Sequence, residues 1–328
     1  MAIERVAILG RGAVGMLYGS IAERNLGPGV VEFVMDDERF ARHAGETPLV
    51  NGEPLRVPTV PASEAEPVDL VILAIKAPGM AAALKTMERL VGPRTAIASL
   101  VNGVTSEERV AERFGWGRTV LSVAQGMDAV FIGDEMTYAH PGEVRFGAAP
   151  GTGPGVVDEV ADLYERAGIP HVVEADIRRR MWVKLMLNVG INQTCMVYGG
   201  TYGTASEPGG EQQRCFVAAM REALAVARAE GVDVTEEDLA QMAGLVASLD
   251  PDGMPSMAQD RINERPTEVE EFAGTVIRLA EGHGLLVPTN RWLYQRIREL
   301  EAGFSRRGPQ RARSGVEPGS LWDFAAKC

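Results

Sequence analysis

The sequence has few cysteines and histidines, and neither residue type forms a metal-binding pattern. No CxxC pair occurs, and no two histidines have a spacing that would place them on one face of a helix. We therefore expect reduced cysteines and no bound metal. The three cysteines and four histidines are Cys195, Cys215, Cys328, His43, His140, His171 and His283.

The sequence also lacks an excess of positive charge and any long apolar run. Its 45 acidic and 33 basic residues give a net charge of −12, which argues against nucleic acid or an anionic membrane surface as a partner. No apolar stretch approaches membrane-spanning length, and the first residues do not resemble a secretory signal. A cytoplasmic protein is the resulting expectation.

The composition is that of a globular protein large enough for two domains. Of the 328 residues, 45% are hydrophobic and 24% are charged, which excludes extensive disorder. Because a single domain usually has roughly 100–200 residues, we expect two hydrophobic cores.

The amino-terminal residues have the pattern of a nucleotide-binding turn. An apolar run at 3–9 predicts a strand, and a helical pattern continues to about residue 25. Between them lies a GxGxxG sequence, in which the glycines permit a tight turn, backbone approach to a pyrophosphate, and close packing of helix on strand. The candidate cofactor-binding residues in this turn are Gly10, Arg11, Gly12, Ala13, Val14 and Gly15.

Asp36 bears on the choice of cofactor. It ends a second predicted strand, about twenty residues beyond the glycine turn, where a dinucleotide fold places its ribose-reading side chain. A carboxylate there accepts hydrogen bonds from both ribose hydroxyls but repels a 2′-phosphate, so NAD(H) is favoured. The alternative is NADP(H), with Arg39 and Arg42 folding back over the 2′-phosphate.

The remaining pattern of this half alternates strands with helices. Strands are predicted at 68–75 and 95–100 around a helix at 80–90, with a small hairpin within 49–60 and antiparallel strands within 138–146. Such alternation is typical of a parallel sheet. We therefore predict an α/β Rossmann-type amino-terminal domain over residues 1–175.

Four candidate residues follow the predicted strands. Gly10, Asp36, Lys76 and Asn102 each stand at or just beyond a strand end. Ligands of open α/β sheets bind beyond the carboxyl ends of the strands, so these residues are expected to line one crevice. Considered alone, Lys76 could equally be a solvated loop lysine, and Asn102 with Gly103 an ordinary turn.

The carboxy-terminal half is predicted to be an all-α domain over residues 176–304. Its first helix is strongly apolar, yet Lys184, Asn188 and Asn192 recur every four residues and so form one polar stripe. Burying these groups without partners would cost several kcal/mol in total, so a ligand-facing stripe is favoured. The alternative is a hydrogen-bonded polar seam between helices.

A second polar region lies near residues 256–271. Thr267 is predicted to cap a helix that runs to His283, with Glu270 at the capping-box position. From the pattern alone, Glu268 and Glu271 are interpreted as solvated charges near a helix amino terminus.

Taken in order, these motifs resemble the ketopantoate reductase (2-dehydropantoate 2-reductase) family over about residues 3–302. The resemblance depends on the ordered set rather than on the glycine turn alone. The motifs are GRGAVG, IKA at 75–77, NG at 102–103, WVKLMLNVGIN at 182–192, SMAQD at 256–260, RPTEVE at 265–270 and HGLLVPTN at 283–290.

The resemblance implies an NAD(P)-dependent oxidoreductase that reduces a small 2-oxo acid, most simply ketopantoate to pantoate for pantothenate and coenzyme A synthesis. Lys184 matches the catalytic lysine and Glu268 the active-site glutamate, which replaces the interpretation of Glu268 as solvated charge. The substrate-binding positions matched are Asn188, Asn192 and Ser256. Lys76 and Asn102 match cofactor-side residues, and Asn102 is also expected to contact substrate.

Two departures from the family pattern affect specificity. NADPH-using members resemble one another in carrying arginine where this chain has Asp36, and Thr201-Tyr202-Gly203 stands where another asparagine often faces substrate. The enzymatic alternatives are a paralogous reductase of another 2-oxo acid and a 3-hydroxyacid dehydrogenase. A non-catalytic nicotinamide-binding sensor is the alternative of another class. We also expect a possible homodimer and a mobile tail at 305–328.

Overall fold

The computed structural model describes residues 2–304, apart from the Ile132 side chain, and these residues form two compact units. The first unit ends at Arg178 and the second begins at Arg179, just beyond the predicted boundary after residue 175. The predicted mobile tail at 305–328 lies outside the described residues.

The first unit has the predicted α/β composition. Its helices are Ala13–Leu26 (α1), Asp37–Arg42 (α2), Met80–Leu90 (α3), Ser106–Phe114 (α4) and Val156–Ala167 (α5). Its strands are Val6–Leu9 (β1), Val31–Met35 (β2), Leu49–Val50 (β3), Glu53–Pro54 (β4), Thr59–Pro61 (β5), Val68–Leu73 (β6), Val91–Ser99 (β7), Thr119–Met127 (β8), Val130–Ile132 (β9), Glu135–Thr137 (β10), Pro141–Ala148 (β11) and His171–Val173 (β12).

Among the described residues, the main sheet has eight strands in the order β12-β11-β8-β7-β6-β1-β2-β5. Strands β7, β6, β1 and β2 are parallel neighbours, whereas β8 and β11 pair antiparallel, as predicted near residues 138–146. The chain moves from β1 to β2 on one side and later returns to β6 on the other. Strand β1 therefore borders the point where the strand order reverses, which is where such sheets bind ligands.

Alternation along the strands builds two cores, one on each face of this sheet. Ile8 of β1 belongs to a buried cluster with residues of α1 and α5, whereas Ala7 and Leu9 belong to a cluster with residues of α3 and α4. Successive strand side chains point to opposite faces, so apolar residues at consecutive positions require helices on both sides. The unit is a doubly wound, Rossmann-type fold.

The region predicted as a hairpin divides between two sheets. Strands β3 and β4 form an antiparallel hairpin within a small sheet of order β4-β3-β10-β9. Thr59–Pro61, at the end of the predicted segment, instead pairs with β2 at the edge of the main sheet. The hairpin is therefore shorter than predicted.

The second unit contains helices joined by loops, and no strand occurs among its described residues, 179–304. The side chains of the first helix are buried on nearly all sides, as expected for a helix surrounded by others. The helices are Ile177–Tyr198 (α6), Tyr202–Ser206 (α7), Glu211–Ala229 (α8), Glu236–Ala247 (α9), Ser256–Ile262 (α10), a π-helical turn at Glu270–Gly274, Thr275–Gly282 (α11) and Pro288–Phe304 (α12).

The predicted cap at Thr267 is wrong. The helical segment begins at Glu270, and Thr267 donates both its backbone N–H and its hydroxyl to Glu301 Oε1, each at 2.7 Å. Glu270 accepts a hydrogen bond from the Tyr294 hydroxyl at 2.6 Å. Both side chains bond to α12, a contact distant in sequence, so the local capping-box pattern does not form.

Candidate functional site

The outer glycines of the GxGxxG turn are required by its geometry. Gly10 has φ of +113°, and a Cβ there would lie 2.3 Å from the Ala74 carbonyl oxygen of the neighbouring chain segment. A Cβ at Gly15 would lie 1.9 Å from the Gly10 carbonyl oxygen. Only glycine allows this left-handed turn and this close approach of α1 to the strand end.

The middle of the turn is open. Gly12 is the N-cap of α1 and provides no side-chain hydrogen bond to the helix, and a Cβ at Gly12 would meet no atom within 4 Å. The helix begins at Ala13 and Val14, whose first-turn position gives N–H groups and a positive dipole end suited to a phosphate. These residues fit a dinucleotide pyrophosphate.

Arg11, between the first two glycines, is held by an ion pair. Its Nη2 lies 2.7 Å from Glu46 Oε2, and the same oxygen lies 2.8 Å from His43 Nδ1. Glu46 lies beyond the end of α2, and no local sequence signal indicated that it would reach the glycine turn.

The four predicted strand-end residues lie at the carboxyl ends of neighbouring parallel strands in the main sheet. Gly10, Asp36, Lys76 and Asn102 follow β1, β2, β6 and β7, which are adjacent and parallel. Asp36 is in addition the N-cap of α2, because its Oδ1 accepts the Arg39 backbone N–H at 2.9 Å. Neither this helix nor its cap was predicted from the sequence.

In the second unit, the negative charge of Glu268 acts on Lys184 of α6. Lys184 is partly buried and Glu268 is buried, in the segment before the π-helical turn. Desolvation lowers the pKa of Lys184 from 10.5 to about 8, while the negative charge of Glu268 acts in the opposite direction and raises it. The fold thus brings together two side chains that are 84 positions apart in sequence.

The rest of the polar stripe is joined to Ser256 by hydrogen bonds. Asn192 Nδ2 donates to Asn188 Oδ1 at 3.2 Å, and Asn192 Oδ1 accepts from the Ser256 hydroxyl at 3.0 Å and from the Met257 backbone N–H at 3.1 Å. Asn192 is therefore tied to the protein in part as a polar seam, while Asn188 is half-buried and Ser256 is exposed. The stripe and Ser256 together supply an ammonium, two amides and a hydroxyl.

Two other classes of site are absent from the described part of the chain. Within residues 2–304 no three histidine, cysteine, aspartate or glutamate residues are grouped as metal ligands. None of the helices described there combines the length and apolar character needed to cross a membrane.

Two family models match most of the chain. The model described as ketopantoate reductase PanE/ApbA matches residues 6–151, and its carboxy-terminal counterpart matches residues 176–301. A 2-dehydropantoate 2-reductase of Mycobacterium tuberculosis is 30% identical over 292 residues, covering 86% of this chain and 93% of that protein.

Solved structures of similar fold span both units. A dimeric ketopantoate reductase from Staphylococcus aureus is 21% identical, with a TM-score of 0.78, covering 92% of this chain and 99% of that chain. A D-mandelate dehydrogenase in complex with NADH is 21% identical, with a TM-score of 0.81 and the same coverage. At this level of identity the two structures show the shared fold.

Proposed function

Since the chain belongs to the ketopantoate reductase family, we propose that it reduces a 2-oxo acid, 2-dehydropantoate, to the 2-hydroxy acid with a nicotinamide cofactor. The observation that carries this proposal is the Lys184–Glu268 pair beside the amide and hydroxyl groups of Asn188, Asn192 and Ser256. A lysine with its pKa lowered to about 8 can release a proton near neutral pH, which an ordinary lysine does reluctantly.

Lys184 is proposed as the proton donor to the substrate carbonyl. When bound, the nicotinamide supplies the hydride for the carbonyl carbon. The negative charge that develops on the carbonyl oxygen is stabilised by the Lys184 ammonium, and Nζ then gives its proton to that oxygen. Lys184 is left neutral and takes its next proton from water.

The neighbouring residues have distinct proposed roles. Glu268 keeps Lys184 more basic than burial alone would allow and accepts a hydrogen bond from the distal hydroxyl of the substrate. Asn188 and Ser256 bind the carboxylate and hydroxyl ends, and Asn192 holds both of them in place while contacting substrate. Asn102, in the first unit, is proposed to contact cofactor and substrate.

NAD(H) is the proposed cofactor, bound by the glycine turn with Lys76 and Asn102 at the same sheet edge. The proposal is supported by Asp36, whose carboxylate would face a 2′-phosphate with like charge. NADP(H) is the alternative; it would require Arg39 and Arg42 to turn toward the phosphate. Arg42 Nη2 lies 3.8 Å from Glu38 Oε1 in an exposed ion pair, which contributes little to stability.

A second candidate is a paralogous reductase acting on a different 2-oxo acid. It is favoured by Thr201-Tyr202-Gly203, which places no amide where the family often has one. The Thr201 side chain caps α7, and a Cβ at Gly203 would lie 2.8 Å from Pro251. Thr201 and Gly203 therefore have structural roles in this segment.

The test is cofactor oxidation at 340 nm with 2-dehydropantoate, 2-oxoisovalerate and phenylglyoxylate, each with NADH and NADPH. We expect turnover to be fastest with 2-dehydropantoate and NADH, and to fall about 10²–10⁴-fold in Lys184→Ala because a positioned acid contributes that much. Lys85→Ala, which removes an exposed lysine of α3, is the matched control.

The other outcomes separate the alternatives. Faster turnover of another 2-oxo acid would identify the paralogous reductase. Oxidation of a 3-hydroxy acid with NAD⁺, without reduction of any 2-oxo acid, would identify a 3-hydroxyacid dehydrogenase. Tight NADH binding without any turnover would support a nicotinamide sensor.

We propose that residues 1–175 bind the cofactor and residues 176–304 carry out catalysis, in a cytoplasmic homodimer. Charge and hydropathy support the location, and the dimeric S. aureus reductase supports the assembly. Light scattering at micromolar concentration would measure the assembly, and a monomeric mass would refute it.

A further inference from the structure

The segment after Glu268 is an unusual π-helical turn rather than an α-helical one. The Val269 carbonyl accepts the Gly274 N–H, five residues on, at 3.0 Å, where an α-helix would use the Ala273 N–H. The Glu268 carbonyl accepts from Glu271 and Phe272 at 3.0 and 3.1 Å, so Glu268 is bonded directly into the same turn. Single π-helical turns are rare and occur frequently at functional sites.

Gln193 of α6 provides the hydrogen bond that this register requires. The Ala273 N–H donates to Gln193 Oε1 at 3.1 Å, and Gln193 Nε2 donates to the Val189 carbonyl at 2.7 Å and to Asn290 Oδ1 at 3.3 Å. Gln193 is fully buried. Both the oxygen and the nitrogen of its amide therefore have hydrogen-bond partners, as buried polar groups generally do.

Asn290 fixes the other end of this connection. Its Nδ2 and backbone N–H donate to Glu222 Oε2 at 2.8 and 2.9 Å, which ties the start of α12 to α8. Gln193 thus connects Asn290, which is itself bonded to α8, with the π-helical turn. A movement of the turn would break a hydrogen bond in the buried core, where an unpaired N–H costs most.

Gln193 does not belong to the polar stripe that carries Lys184. The stripe positions recur every four residues at 184, 188 and 192, and residue 193 is rotated by about 100° from the last of them. Gln193 therefore joins the helix that carries Lys184 to the turn that follows Glu268 without facing the stripe.

We propose that Gln193 is a positioning residue that sets where Glu268 stands relative to Lys184, by holding the π-helical turn against α6. The inference rests on the proposed roles of Lys184 and Glu268. If the turn relaxes, Glu268 moves away from Lys184, and two consequences follow. The lysine loses part of the negative field that keeps it protonated, and turnover falls.

The decisive measurement is the pKa of Lys184 itself, which does not depend on the identity of the substrate. The chain has four lysines, Lys76, Lys85, Lys184 and Lys327, so a sample labelled with [¹³Cε]lysine gives four side-chain signals. The signal absent from Lys184→Ala identifies Lys184. Gln193→Met, which keeps the volume but removes the amide, is expected to lower the Lys184 pKa in the same direction as Glu268→Gln.

Thr194→Val is the matched control. Thr194 is the next residue of α6, is also fully buried, and donates to Cys215 Sγ at 3.8 Å rather than to the π-helical turn. It is expected to leave the Lys184 pKa unchanged and kcat/KM within about twofold of wild type. Gln193→Met is expected to lower kcat/KM about tenfold or more, since small misplacements of reacting groups have effects of that size.

A double variant tests whether Gln193 acts through Glu268. In the Glu268→Gln background, Gln193→Met should produce no further change in the Lys184 pKa.

An unchanged or raised Lys184 pKa in folded Gln193→Met, or an equal effect of Thr194→Val, would overturn the proposal. If Gln193→Met does not fold, Gln193→Asn, which is one methylene too short to make the bond, decides by the same readout. Absence of turnover by the wild type would refute the proposed function while the Lys184 titration still judges this inference.

Discussion

The Asp36 carboxylate caps helix α2 by accepting the Arg39 backbone N–H at 2.9 Å. This bond uses Oδ1, so Asp36 has a structural role beside its proposed role in reading the ribose. Asparagine is about as good an N-cap as aspartate, but it has no charge to repel a phosphate. Asp36→Asn therefore separates the two roles.

We expect Asp36→Asn to lower the ratio of kcat/KM with NADH to kcat/KM with NADPH by about tenfold or more. A change of this size corresponds to the free energy of one or two hydrogen bonds to a charged group. The melting temperature should stay close to that of wild type. The control is Glu38→Gln, which removes a neighbouring exposed charge of α2. An equal shift in both variants would mean that net charge, rather than position, decides the preference.

The pH dependence of ketone reduction follows from the pKa of Lys184. A general acid must be protonated, so kcat/KM is expected to fall as pH rises through about 8, the lowered pKa of Lys184. Because Glu268 raises that pKa, Glu268→Gln should move the alkaline limb to lower pH. The profile is measured from pH 6 to 10 with saturating cofactor. An alkaline limb near 10 in the wild type would contradict a desolvated lysine.

The glycine turn predicts opposite behaviour for two similar substitutions. Gly12→Ala places a methyl group in open space, so the protein should fold normally but bind NADH about tenfold or more weakly, through obstructed phosphate contacts. Gly15→Ala forces a methyl group onto the Gly10 carbonyl and should lower stability by about 1–3 kcal/mol or more.

Urea unfolding and NADH fluorescence titration of the two variants measure both quantities. Equal losses of stability would show that the turn can adjust to a side chain at either position. Unchanged NADH affinity in Gly12→Ala would place the pyrophosphate elsewhere.

The features that the sequence predicted well depend on short-range patterns. The glycine turn, the strand ends at Asp36 and Asn102, and the four-residue repeat of the α6 stripe are local and periodic, and the fold preserved them. The apolar runs also predicted most element positions, because alternation and helical periodicity reflect which faces are buried.

The features that were missed depend on contacts between distant residues. Gln193 meets Ala273 across 80 positions, and Thr267 meets Glu301 across 34. No local pattern distinguishes an α-helical start at 267 from a π-helical turn at 270. Thr267 was assigned to a cap because its sequence neighbours fit one, whereas tertiary hydrogen bonds determined its actual partner.

Glu107 is a buried carboxyl group that predicts how stability depends on pH. It lies in the first turn of α4, where its Oε2 accepts the Ser106 hydroxyl at 2.7 Å and its Oε1 accepts the Ser122 backbone N–H at 3.3 Å. Burial raises its pKa from 4.5 to about 7 despite these bonds. Ser106 in turn bonds Ser99 at 2.8 Å, at the end of β7 just before Asn102.

The sign of the effect follows from proton binding. Between pH 4.5 and about 7 the folded protein holds a proton on Glu107 that the unfolded chain has released, so stability falls as pH rises through this window. A shift of this size corresponds to about 3 kcal/mol. Glu107→Gln cannot titrate, so from pH 5 to 8 its free energy of unfolding should rise relative to wild type by about that amount.

Urea unfolding of the wild type and Glu107→Gln at several pH values tests this prediction. Glu112→Gln is the matched control, since Glu112 lies on the same helix α4 but is exposed, and it should follow the wild type throughout. A constant difference between Glu107→Gln and wild type from pH 5 to 8 would show that Glu107 does not change protonation in the folded state. A difference that grows with pH would mean that the β7–α4 connection carrying Asn102 rests on a carboxyl group that ionises near neutral pH.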